Sequence, residues 1–174
     1  MTQSRSNIVL IGMPGAGKST VGVLLAKQAS LHFVDTDLLI QTGQKRTLQD
    51  IVDTDGYEIL RQIEENVLLG LTVHNCVIAT GGSAVYSDRA MTHLKSDGIA
   101  VFLNVDRPVL ESRIHDYSTR GLAKRPDQDL GDLFQERSAL YAKYADITIN
   151  NVNLTQEEVC TQIIDLTREL LIRA

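Results

Sequence analysis

The sequence predicts an α/β fold: a central five-stranded parallel sheet flanked by helices, in one domain spanning 1–174. Three observations carry this. Apolar, largely β-branched runs recur at 8–11, 32–34, 76–80, 99–105 and 147–149, and every gap between them holds a stretch of helical periodicity. Runs such as Ile99-Ala100-Val101-Phe102-Leu103 are continuous rather than alternating, which is how parallel strands covered on both faces read. A length of 174 residues suits one hydrophobic core.

Helices are expected over 18–29, 37–42, 47–53, 57–73, 87–96, 107–115, 130–144 and 155–172. The last is the clearest amphipath: Val159, Ile163, Leu166, Leu170 and Leu171 recur at three- and four-residue spacing, and Thr155 with Glu158 forms a capping box. Between the sixth and seventh helices, 116–129 (DYSTRGLAKRPDQD) has no period and reads as a loop or lid.

Composition narrows the function classes. With 43% hydrophobic residues and no run near the about 18 apolar residues of a membrane span, no membrane partner is expected. The polar N-terminus MTQSRSN runs straight into the first strand, unlike a signal peptide or presequence, so a cytoplasmic protein is expected. Cys76 and Cys160 have no metal spacing and read as small buried apolar side chains, in keeping with a reducing compartment. A net charge of −5, five Tyr, three Phe and no Trp argue against nucleic acid, leaving a small-molecule partner.

The chemistry begins at GMPGAGKST, residues 12–20, directly after the first strand and opening the first helix. Gly12-x-x-x-x-Gly17-Lys18-Ser19 is a phosphate-binding loop in its confirming strand-to-helix context. Glycines 12, 15 and 17 let successive backbone N–H groups turn inward around phosphate oxygens at the positive end of the helix. Lys18 is placed to reach the β- and γ-phosphates, and the Ser19 hydroxyl to ligate Mg²⁺. Gly12, Pro14, Gly15, Ala16, Gly17, Lys18, Ser19 and Thr20 form the expected nucleotide-binding set, with ATP as co-substrate.

Four further stretches bear on what receives the phosphate. Phe33-Val34-Asp35-Thr36-Asp37 puts two carboxylates at the C-terminal end of the second strand, the edge where ligands gather in open α/β sheets. Asp35 suits Mg²⁺ held through water. Asp37 suits a general base that accepts a substrate hydroxyl's proton, or else an N-cap for a helix over 38–42. Leu60-Arg61-Gln62-Ile63-Glu64-Glu65 and Gln135-Glu136-Arg137-Ser138-Ala139-Leu140-Tyr141 each place an arginine on a helix; alone, each reads as a surface charge. Thr80-Gly81-Gly82-Ser83 ends the third strand in a turn that serves either as a bend or as a close backbone approach to a ligand.

In order and spacing these stretches resemble the shikimate kinases over nearly the whole chain. That family, within the nucleoside monophosphate kinase fold group, shows GxPGxGKS/T, Asp-Thr-Asp, Phe-Arg-Arg-x-Glu, Gly-Gly-Gly and Glu-Arg-x-x-Leu-Tyr. This chain supplies GMPGAGKST, DTD, LRQIEE, TGGS and QERSALY. The resemblance implies a three-layer α/β/α P-loop kinase fold with a mobile lid, acting as a cytoplasmic monomer on ATP, Mg²⁺ and shikimate. It further implies that Arg61 and Arg137 clamp the shikimate carboxylate. Asp37 then binds ring hydroxyls and acts as base, while Gly81 and Gly82 offer backbone contacts.

By the same resemblance Arg113 lies near the adenine, and the catalytic lid arginine is Arg120, with Arg125 the alternative. Three departures stand out. The lid reads Arg120-Gly121-Leu122 and Arg125-Pro126 where the family shows Arg-Pro-Leu-Leu, Ser83 replaces a third glycine, and Asn150-Asn151-Val152-Asn153-Leu154 lacks the adenine-loop proline. Two alternatives accompany the shikimate reading: a kinase for another hydroxy acid or polyol, such as gluconate or homoserine, and a nucleotide-binding module without transfer activity.

Overall fold

A computed structural model describes residues 5–114 and 117–171. Met1 to Ser4 of the polar N-terminus, Asp116 of the expected lid, and the last residues of the helices expected over 107–115 and 155–172 lie outside the described residues.

Five strands form one sheet: β1 (Asn7–Ile11), β2 (His32–Asp35), β3 (Cys76–Ala79), β4 (Gly98–Asn104) and β5 (Ile147–Asn150). The order across the sheet is β2-β3-β1-β4-β5, and every neighbouring pair is parallel. The continuous apolar runs are explained by this arrangement, since β1, β3 and nearly all of β4 are buried. Eight helices among the described residues complete three layers. They are α1 (Lys18–Ala29), α2 (Thr36–Gln44), α3 (Leu48–Asp55), α4 (Tyr57–Leu69), α5 (Asp88–Asp97), α6 (Arg107–Arg113), α7 (Leu130–Tyr144) and α8 (Gln156–Thr167). Helices α1 and α8 pack together over the sheet, while α5 and α7 lie against β4.

Helices α4 and α8 end four and five residues earlier than periodicity predicts, each for a local reason. Helix α4 stops at Leu69, where the Gly70 amide closes the last turn on the Asn66 and Val67 carbonyls. Helix α8 stops at Thr167, whose carbonyl takes the amides of Leu170 and Leu171, and Leu171 pairs with Arg5 in an isolated bridge. The capping box of Thr155 and Glu158 is present at its start. Cys76 and Cys160 are free and buried, as their sequence context predicts. No helix among the described residues is long and apolar enough to cross a membrane.

Besides the main core around β1 and β4, a smaller apolar cluster joins Ile40, Ile51 and Leu60 of α2, α3 and α4 to Ala123. The aperiodic segment is therefore docked rather than loose. After a 3₁₀ turn at Tyr117–Thr119, its Gly121 amide donates to Gln49 Oε1 at 2.7 Å and Ala123 is buried.

Gly98 opens strand β4, next to the central strand, where a side chain has no room: a Cβ there would lie 2.5 Å from the Leu94 carbonyl oxygen and 2.7 Å from Val9 Cγ2. In α2, by contrast, a Cβ on Gly43 meets nothing within 4 Å. Gly98→Ala is expected to lower unfolding free energy by about 1–3 kcal/mol, and Gly43→Ala to hold or raise it by up to about 1 kcal/mol. Urea unfolding of both variants checks this; equal effects would contradict the packing described.

Candidate active site

Parallel topology brings the C-terminal ends of β1, β2 and β3 to one edge, and the loops leaving them line a cavity of about 470 Å³. The loop after β1 uses positive φ at Gly12 (149°), Gly15 (83°) and Gly17 (94°), values that side-chain-bearing residues rarely adopt. Gly17 is the N-cap of α1 and brings no side-chain cap, so the helix opens onto the cavity with its first amides facing it. Lys18 is buried and its Nζ donates to the carbonyls of Gly12 (2.7 Å) and Met13 (2.9 Å). Burial pushes its ammonium down to about 8, against the pull of the Asp37 carboxylate. Pro14, Gly15, Ala16, Gly17, Lys18, Ser19 and Thr20 all line the cavity.

The two carboxylates after β2 divide the labour. Asp35 caps α2, its Oδ1 accepting the amides of Asp37 (3.0 Å) and Leu38 (3.4 Å). Its Oδ2 accepts from Ser19 Oγ at 2.6 Å, so the two expected metal-site residues sit together. The N-cap alternative for Asp37 is thereby corrected: the helix starts at Thr36, two residues earlier than that reading requires, and Asp37 lines the cavity instead. Desolvation raises the Asp37 carboxyl above its ordinary value, with Lys18 opposing.

Helix α7 buries a stripe of Leu133, Arg137, Tyr141 and Tyr144, so Arg137 is not the surface charge its sequence alone suggests. Tyr141 locks this helix to the turn after β3 through its hydroxyl, which donates to the Gly82 carbonyl at 2.6 Å. Arg137 then lies so near the turn that a Cβ on Gly82 would be 2.7 Å from its Nη1; the turn is a close approach as well as a bend. The Gly81 amide already donates to Thr36 Oγ1 at 3.2 Å.

Arg61 is half-buried and lines an adjoining recess of about 400 Å³ with Glu64, Ser83 and Tyr86. It converges with Arg137: Arg61 donates to the Ala123 carbonyl at 2.9 Å and Arg137 donates to the same oxygen at 3.0 Å. The Nε of each guanidinium is buried without a partner.

Arg120 and Arg113 both line the cavity, and Arg113 donates to the Gly15 carbonyl at 3.3 Å. Arg113 also borders a smaller pocket with Asn151, Val152, Asn153 and Leu154. Arg125 is engaged elsewhere, with Glu136 at 3.1 Å and Asp127 at 3.9 Å. Of the two candidate lid arginines, Arg120 lines the cavity and Arg125 does not.

Sequence reasoning passed over Glu64. It is buried beside Asp37, accepts the Ser83 hydroxyl, and its carboxyl is pushed up to about 7 by burial and then by the Asp37 charge. A signal was present: Glu64 falls on the buried Leu60-Glu64-Leu68 stripe of α4, where an unpaired carboxylate is out of place. Ser83 spends its hydroxyl on this contact.

Comparison with known proteins agrees with the site. A family model described as "Shikimate kinase" matches residues 14–168. A shikimate kinase of Thermodesulfovibrio yellowstonii is 38% identical over 91% of this chain and 92% of its own length. The solved structure of a shikimate kinase from Acinetobacter baumannii in complex with shikimate superposes with a TM-score of 0.87 at 30% identity, covering 98% of this chain and 97% of the other. One from Aquifex aeolicus superposes with a TM-score of 0.80 at 35% identity, covering 94% and 96%. A family model over residues 14–168 and relatives at this identity and coverage show that the protein belongs to the shikimate kinase family.

Proposed function

We infer that the protein transfers the γ-phosphate of ATP to the 3-hydroxyl of shikimate, giving shikimate 3-phosphate and ADP. The observation that carries this reading is the convergence of Arg61 and Arg137 on one carbonyl, each with an orphaned buried Nε, at the edge of the cavity that Lys18 and Asp37 line. Two planar guanidinium forks match a carboxylate, with each charge-assisted bond contributing about 1.5–3 kcal/mol.

The loop amides and α1 hold the β- and γ-phosphates. Lys18 exchanges its bonds to Gly12 and Met13 for phosphate oxygens. Asp37 takes the proton of the acceptor hydroxyl as that oxygen bonds to the γ-phosphorus and the bond to the ADP oxygen breaks. Arg120, on the docked lid, balances charge on the transferring group and helps exclude water, so that transfer outruns hydrolysis. Gly82 lets Arg137 and the turn approach the acid end, and Arg113 borders the adenine.

Ser19 and Asp35 offer paired hydroxyl and carboxylate oxygens, the donor chemistry of Mg²⁺. Among the described residues no group of three or more His, Cys, Asp or Glu could hold a metal by itself; Ser19 and Asp35 would hold the ion together with the bound nucleotide. When bound, Mg²⁺ supplies charge neutralisation across the β- and γ-phosphates.

The motive for a different acceptor, Ser83 in a glycine position, weakens because its hydroxyl is committed to Glu64. A monomer in the cytoplasm is the assembly and location we attach to this reading, supported by the family's resemblance and by two free, buried cysteines.

Acceptor-dependent ADP release with shikimate, gluconate and homoserine, with product identified by ³¹P NMR, tests the reading. Turnover with shikimate and phosphate on the 3-oxygen is expected; faster turnover with either alternative, or none with any, would overturn it. Arg61→Ala should lower kcat/KM for shikimate by about a hundredfold or more while the KM for ATP holds; equal losses for both substrates would contradict the clamp. Because an incoming triphosphate raises the Lys18 ammonium from about 8, ATP binding at pH 8 should take up roughly half a proton. Calorimetry in buffers of differing ionisation enthalpy reads this, and proton release would contradict it.

A further inference from the structure

Tyr86 ends the 3₁₀ turn Ala84–Tyr86 that follows Gly81-Gly82-Ser83, and no step above uses it. Its ring lies beneath both clamp arginines, 3.6 Å from Arg61 Cζ and 5.5 Å from Arg137 Cζ. Tyr57 adds a second ring, 5.1 Å from Arg61 Cζ. The Tyr86 hydroxyl donates to Glu136 Oε1 at 2.5 Å, and Glu136 Oε2 is held by Arg125 (3.1 Å) and Gln128 (3.2 Å) from the far end of the lid segment. The ring is thus fixed at its edge by a carboxylate that is itself tethered twice.

Such a platform answers a physical problem of the clamp. Two guanidiniums converging on one carbonyl oxygen repel each other, and each loses hydration on burial. Burial above all holds the Arg61 guanidinium below its ordinary value, and the Arg137 charge adds to this, while Glu136 is the carboxylate facing it. Arg61 is also a long side chain with many rotamers, hydrogen-bonded to the Ala123 carbonyl, so without a surface to lie on it would swing away from Arg137. An aromatic face attracts a guanidinium through its quadrupole and favours stacking over it. One ring under both forks therefore does what neither hydrogen bond does alone: it sets their mutual angle before a carboxylate arrives.

We propose that Tyr86 is a positioning residue for acid recognition, its ring seating Arg61 and Arg137 so that their forks converge on the carboxylate of the acceptor. The proposal rests on the reading of these arginines as the shikimate clamp. It assigns the work to the ring, with the hydroxyl serving only to hold the ring's edge.

Steady-state kinetics of Tyr86→Leu, Tyr86→Met, Tyr86→Phe and Arg61→Ala, with shikimate and ATP varied separately, test it, alongside each variant's melting temperature. Tyr86→Leu and Tyr86→Met should raise the KM for shikimate about tenfold, with the KM for ATP within twofold of wild type. Tyr86→Phe should restore shikimate KM to within about threefold. If either non-aromatic variant folds and shows wild-type shikimate KM, the proposal fails. It fails equally if Tyr86→Phe is as impaired as the non-aromatic variants, or if both substrates' KM values rise together. Should Arg61→Ala itself leave shikimate KM unchanged, the clamp reading is what falls.

Discussion

Everything at this site depends on burying opposite charges together in one desolvated cavity. Lys18, Glu64 and Arg137 are all buried, and Asp37 is largely so. Isolated, Lys18, Glu64 and Asp37 would each be pushed toward the neutral form; together the opposite charges hold one another. Lys18 sinks to about 8 and Glu64 rises to about 7, so near neutral pH Glu64 is poised close to half-protonated while Lys18 stays mostly charged. Adding Arg113 and Arg120, the lining is rich in positive charge, although the whole chain carries −5. A protein that is acidic outside and cationic within one pocket is matched to anionic partners that enter that pocket, and a nucleoside triphosphate and a carboxylic acid are two such partners.

The fold creates this pocket by topology more than by local preference. With β1 in the middle of the sheet, its trailing loop, the Asp35-Thr36-Asp37 corner and the glycine turn after β3 emerge side by side. Hydrogen bonds across these loops, Ser19 to Asp35 and Gly81 to Thr36, tie them into one frame. The lid segment completes the frame from the other side. Ala123 is at once an apolar plug in the small α2-α3-α4 core and the carbonyl on which both arginines rest. A shift of this segment therefore moves the arginine pair and the pocket wall together.

Much of this was legible in the sequence, and the reasons differ by residue. Strands β1, β3 and β4 read clearly because parallel strands buried on both faces must be continuously apolar, whereas the partly exposed edge strands β2 and β5 offered only short apolar runs. The phosphate loop read clearly because its glycines have positive φ and its lysine has no structural duty. Asp35 and Asp37 were located and given separate roles, but Asp35 was not seen as the cap: which of two nearby carboxylates caps a helix depends on where the first helical turn closes. Arg61 and Arg137 were legible only as members of a motif set, since periodicity treats an arginine on a helix as solvent-facing. Glu64 left a trace in the α4 stripe. Tyr86 and the Ala123 carbonyl left none, because a stacking distance and a backbone oxygen's bonding partners arise from tertiary packing.

The account's central claim is spatial: phosphate tail in the Gly12–Ser19 loop, acid group on Arg61 and Arg137, and the reacting hydroxyl between them at Asp37. A crystal structure with ADP, magnesium and shikimate bound measures this most directly. The account predicts the shikimate carboxylate on both guanidiniums, a ring hydroxyl within hydrogen-bond reach of Asp37, and the β-phosphate held by the loop amides and Lys18. A carboxylate bound away from both arginines, or a β-phosphate outside the loop, would contradict it.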